Sequence, residues 1–73
     1  MTLTSKELEI KLTEKEIEVI QLIADGKSNK VIAELSGYRD SSVETVRARI
    51  YMKLGVPNGC ACVAYALRNK LIV

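Results

Sequence analysis

The sequence contains no histidine, tryptophan or phenylalanine, a single proline, and two cysteines among its 73 residues. Without histidine, the commonest general base and metal ligand is missing. Cys60 and Cys62 lie one residue apart, too close to fasten distant parts of the chain. With no other Cys or His, they also lack the partners of a zinc site. They read as packed, reduced thiols. No apolar run approaches the roughly 20 residues of a membrane span, and the start, MTLTSKELEI, is too charged for a secretion signal. There is no carboxylate pair on an apolar face, no nucleophile with a base, and no glycine loop to cradle phosphate. The expectation is a cytoplasmic protein that is not an enzyme and holds no metal or cofactor.

What is present suits one small domain. Hydrophobic residues make up 48% of the chain, and the three tyrosines are its only aromatics, so the core must be aliphatic. The net charge of +2 conceals an asymmetry: residues 1–25 carry −3 and residues 26–73 carry +5. A basic remainder behind an acidic start suits a polyanion partner.

Helix starts are marked repeatedly. LTSKELEI (3–10) is echoed by LTEKEIEV (12–19), each with the Thr-x-x-Glu spacing of a capping box, at Thr4/Glu7 and Thr13/Glu16. The second copy runs into Ile17, Ile20, Ile23 and Ala24, predicting a helix to about Ala24 closed by Asp25-Gly26. The first lacks such a continuation, so residues 1–11 read as an N-terminal arm or short helix and residues 12–73 as the domain. Ser28 is a natural N-cap for about two turns carrying Val31, Ile32 and Leu35, and Gly37 permits a sharp exit. Asp40, Ser41 and Ser42 are capping candidates for a helix over about 41–54, and Ser41 with Glu44 offers another capping box. Asn58 caps a last helix near 59–69. The fold class is all-α: four helices with short connections.

The helix containing SSVETVRARI has two faces. At 100° per residue, Val43, Val46, Ile50 and Leu54 fall in one sector, the expected buried seam. Ser41, Thr45, Ala48 and Met52 lie opposite, flanked by Glu44 and Arg49. This outer face is small and polar at its leading end, which lets a helix approach base edges. Arg49 can pair with guanine, Thr45 can meet a thymine methyl, and Glu44 can accept from cytosine N4. The last helix differs: residues 60–67 are all apolar, and a domain this small cannot cover both sides of such a run. Val63, Leu67 and Leu71 are the best core face; Ala61, Ala64, Tyr65 and Arg68 then face a second subunit, with Tyr65 as an aromatic anchor.

LTEKEIEVIQLIADGKSNKVIAELSGY, Val43, Ile50 and Lys53-Leu54-Gly55-Val56 together resemble the DNA-binding domain of LuxR/GerE-type bacterial transcription regulators. Without gaps the resemblance spans about residues 12–72. It implies a four-helix helix-turn-helix domain whose third helix enters the major groove and whose fourth dimerises. It also implies a stand-alone, GerE-like regulator of double-stranded DNA, with no receiver or ligand-sensing domain. The fourth region of sigma factors fits the first helices but not the segment after KLGV.

The departures from the family pattern lie where DNA is read. The family's threonine, valine and basic residue, with a histidine two residues on, become Ser42, Val43, Glu44 and Val46. Ser36 stands at a usual leucine position, Arg47 at a usually apolar one, and Gly59 at that of a frequent arginine. A gapped register would instead align Thr45-Val46-Arg47 with the motif, needing a turn three residues longer and placing Arg47 at the DNA. The gapless register keeps Ile50, Lys53 and Leu54 in phase with Val43. On it, Glu44, Thr45, Ala48 and Arg49 are the base-reading candidates. Ser28, Asn29, Lys30, Ser42 and Lys53 are the phosphate candidates, ahead of Lys27 and Arg39. The alternative reading is a helix-turn-helix that has given up DNA and binds and modulates another regulator; Glu44, Arg47 and the acidic start support it.

Overall fold

Thr13 begins the first helix with both arms of its capping box closed. Its hydroxyl accepts from the Glu16 amide at 3.1 Å, and its own amide donates to Glu16 Oε1 at 2.9 Å. The computed structural model describes residues 12–73; the Thr4/Glu7 box and the arm or helix expected over 1–11 lie outside the described residues. Four helices follow among them: α1 (Glu14–Ala24), α2 (Asn29–Ser36), α3 (Asp40–Leu54) and α4 (Gly59–Arg68). No strand occurs among these residues, so the fold is all-α.

The local signals act as expected at three of the four starts. Ser28 Oγ accepts from the Val31 amide at 3.3 Å, and Asn58 Oδ1 accepts from the Ala61 amide at 2.9 Å. Gly37 ends α2 at φ 80°, and a Cβ-bearing residue would be strained there. The turn between α2 and α3 is then only residues 37–39, braced by Lys15 Nζ lying 4.9 Å from the Tyr38 ring centroid.

The start of α3 departs from expectation. The helix begins at Asp40 with Arg39 as its N-cap, and no side chain caps it. The Ser41/Glu44 box therefore does not form. Both residues already lie inside the helix, and the Glu44 carboxylate is engaged elsewhere. The short turn and the 15-residue length of α3 also match the gapless register; the gapped one needed a longer turn and a shorter helix.

The core is aliphatic. Val19 and Ile20 of α1, Ile32 and Ala33 of α2, and Val43, Val46, Ile50 and Leu54 of α3 are buried together, so the expected seam of α3 is the observed one. On α4 the phase is shifted by one residue. Cys62 and Ala66 face the core at 0% exposure, while Leu67 is 50% exposed and Val63 only half-buried. Of the expected core face, Val63 and Leu71 pack against the core at its edge, and Leu67 lies outside it. Large side chains from α1 and α3, with Ile72 beyond the helix, already fill the space that α4 packs against. Only small residues of α4 fit there, and they let the helix approach closely. Burial pushes the Cys62 thiol up, against a smaller opposing pull from Arg47, so it stays protonated. Cys60 is exposed, and only Cys62 is a packed thiol.

Candidate nucleic-acid interface

The burial of Val43, Val46, Ile50 and Leu54 turns the opposite side of α3 outward. Glu44, Thr45, Ala48 and Arg49 are all exposed, and Met52 continues the face at 82% exposure. Thr45, Ala48, Arg49, Met52 and Lys53 border one open depression. Two polar clusters fasten the flanks of this helix.

The first joins α3 to α1. Lys53 Nζ donates to both Glu16 oxygens, at 2.8 and 2.9 Å, while the Thr13 amide holds the same carboxylate. The Glu16 side chain is 6% exposed and that of Lys53 28%. Burial pushes the Glu16 carboxyl up, but the hydrogen bonds from Lys53 and Thr13 and the charges of Lys53 and Arg49 outweigh it. Its pKa lies below the ordinary value. Lys53, a phosphate candidate by sequence, thus directs its ammonium to Glu16, and that pairing sets how α3 sits on α1.

The second cluster joins α3 to the start of α2. Asn29 Nδ2 donates to Glu44 Oε2 at 2.8 Å, and Asn29 Oδ1 accepts from an Arg47 guanidinium nitrogen at 2.8 Å. Arg47 Nε donates to the Tyr51 hydroxyl at 3.0 Å, one helical turn on. Gly59 makes room for this arrangement: a Cβ there would lie 3.1 Å from Tyr51 Oη and 3.2 Å from an Arg47 nitrogen. Asn29 therefore faces Glu44 and Arg47. Ser28 and Lys30 remain exposed beside it, and Ser42 is half-buried at the start of α3. Lys27 and Arg39 are exposed as well.

Tyr51 and Gly59 were not among the sequence candidates. The Arg47/Tyr51 spacing of four was a legible signal; the approach of Gly59 from another helix was not. On α4, Ala61, Ala64 and Tyr65 are half-buried and Arg68 is exposed; Tyr65 packs against the core. The exposed apolar residues are Cys60 and Leu67, and Cys60 and the half-buried Val63 share a second depression with Ile23, Ala24 and Gly59.

Residues 11–66 match the family described as bacterial regulatory proteins, luxR family. The chain belongs to this family. It is 47% identical over 57 residues to the uncharacterized response regulatory protein YgeK of Escherichia coli K12, covering 78% of this chain and 39% of YgeK. It is 36% identical over 61 residues to the transcriptional regulatory protein MctR of Rhizobium johnstonii, and 39% identical over 61 residues to the oxygen regulatory protein NreC of Staphylococcus aureus. Both matches cover 84% of this chain and 28% of the relative. The chain thus spans well under half the length of these relatives. No solved structure matches it significantly. The chain is a helix-turn-helix module of the luxR family, a family of bacterial regulatory proteins. No described helix is long and apolar enough to cross a membrane.

Proposed function

We propose that this domain binds double-stranded DNA as a sequence-specific transcription regulator, with α3 in the major groove. The observation that carries the reading is the Asn29–Glu44 hydrogen bond. It ties the start of α2 to the outer flank of α3, beside an exposed row of Thr45, Ala48 and Arg49. A helix start attracts phosphate through its amides and dipole, and a small polar helix face admits base edges. Ser28, Lys30 and Ser42 contact the backbone; Glu44, Thr45, Ala48 and Arg49 face the bases. Asn29 and Lys53, the remaining phosphate candidates, are also hydrogen-bonded within the protein, Asn29 to Glu44 and Arg47 and Lys53 to Glu16.

Two copies pair through α4. The pairing face is the one expected from the sequence, Ala61, Ala64, Tyr65 and Arg68, extended by the exposed apolar residues Cys60 and Leu67. Such a two-fold would present two α3 helices to half-sites about one turn apart.

Titration against random duplex DNA at two salt concentrations tests the reading. Affinity should fall steeply with salt, and Lys30→Ala should weaken binding across sequences and lower the slope by roughly one. An unchanged slope removes Lys30 from the phosphate contacts. Absence of binding even at about 50 mM salt would instead favour the module that binds another regulator. Sedimentation tests the pairing: Leu67→Asp should abolish two-copy binding while the monomer stays folded.

A further inference from the structure

The hydrogen bonds of the second cluster run in one direction, from Arg47 through Asn29 to Glu44. A guanidinium only donates and a carboxylate only accepts, so only one orientation of the Asn29 amide satisfies both neighbours. Arg47 is itself immobilised. Its Nε is held by Tyr51, it is half-buried, and Gly59 lies against its far nitrogen. Its donors point into the protein, away from the exposed row of Thr45, Ala48 and Arg49. Glu44 is exposed, with Oε2 taken by Asn29 and Oε1 without a partner among the described residues.

We propose that Arg47 is a positioning residue for base recognition: through Asn29 it aims Glu44 so that Oε1 accepts from the exocyclic amino group of a cytosine. This rests on the groove reading of α3 given above. An unanchored carboxylate at the DNA surface would be repelled by phosphates and would swing away. Here a guanidinium one residue further along the relay offsets its charge, and a fixed amide holds its orientation in advance. Cytosine follows from the chemistry of the major groove. A carboxylate needs a donor; adenine N6 stands beside the acceptor N7 of its own base, whereas cytosine N4 offers a donor alone.

The test is selection of bound sequences from a random duplex pool, followed by binding to the selected site and its single-base variants. The wild-type domain should prefer cytosine at one position per half-site by roughly 5- to 150-fold. Glu44→Gln should shift that position toward a purine, because its oxygen accepts from Asn29 and its outward amide nitrogen then donates, to purine N7. Arg47→Met should lose the cytosine preference while holding random duplex to within about threefold of wild type, because its donors do not reach phosphate. Asn29→Ala cuts the relay from another helix and should give the same loss; it decides the matter if Arg47→Met loses helix content by circular dichroism. A cytosine preference that survives in Arg47→Met or Asn29→Ala overturns the relay, as does a wild-type site with no such cytosine. If the wild type binds no duplex at low salt, the groove reading itself falls, and this assignment with it.

Discussion

Glu16 and Glu44 both tie α3 to a neighbouring helix, yet they stand in opposite conditions. Glu16 is 4% exposed and receives two bonds from Lys53 and one from the Thr13 amide. Glu44 is exposed and receives one bond, from Asn29, leaving its other oxygen without a partner among the described residues. A buried carboxylate must be satisfied within the fold, because water cannot reach it. An exposed one is satisfied in any case, so holding it in place serves a ligand better than it serves stability. By this measure the cluster of Glu16 is structural and the cluster of Glu44 functional, although each fastens the helix proposed to read DNA to a neighbour.

The strongest attempt to break that contrast is Lys53→Met. It leaves the Glu16 carboxylate buried without its cation, at a cost of about 2–3 kcal/mol; the partial exposure of Lys53 keeps the figure below that of a fully buried pair. Thermal denaturation should show the midpoint falling by at least about 8 °C. A drop of under about 2 °C would make this pair as dispensable as a surface one. Acid should act on the same group. Because the Glu16 pKa is lowered by folding, its contribution is present above the ordinary carboxylate range and is lost as pH falls through the folded value. Between pH 6 and pH 3 the wild type should therefore lose more stability than Glu16→Gln, measured by urea unfolding.

The sequence made each of these clusters only half legible. Glu16 and Lys53 were both singled out, Glu16 as a cap and each as part of the family motif, but their pairing spans 37 positions and leaves no periodic trace. The caps at Thr13, Ser28 and Asn58 were readable because donor and acceptor lie three residues apart. The same spacing misled at Ser41/Glu44, since it does not say where the chain enters the helix. The seam of α3 was readable because its large aliphatic residues recur on one side. The inward face of α4 was not. Its residues are small, and their burial was decided by how much space the other helices had already filled.

A third polar group sharpens the comparison with a smaller effect of opposite sign. Ser36 is 4% exposed and its hydroxyl has no partner among the described residues. Unlike Glu16, it is buried and unsatisfied. Ser36→Ala removes the hydroxyl without adding bulk and should raise stability by about 1 kcal/mol, read from the urea midpoint at constant slope. A destabilised variant would show that the hydroxyl has a partner after all.

The smallest effect is expected from the substitution that most directly tests the role of Glu44. Glu44→Gln keeps the length of the side chain and keeps an oxygen able to accept from Asn29. It gives up a charge-assisted bond at an exposed site, where such pairs contribute little. Stability should therefore change by less than about 0.5 kcal/mol. Affinity for random duplex should rise, because a negative charge facing phosphates has been removed. The two readouts separate the possible roles. A stability loss above about 1 kcal/mol with unchanged affinity would place Glu44 with Glu16, as a tie between helices and nothing more. Little change in stability with higher affinity leaves the two carboxylates on opposite sides of the comparison, one holding α3 in place and the other facing outward from it.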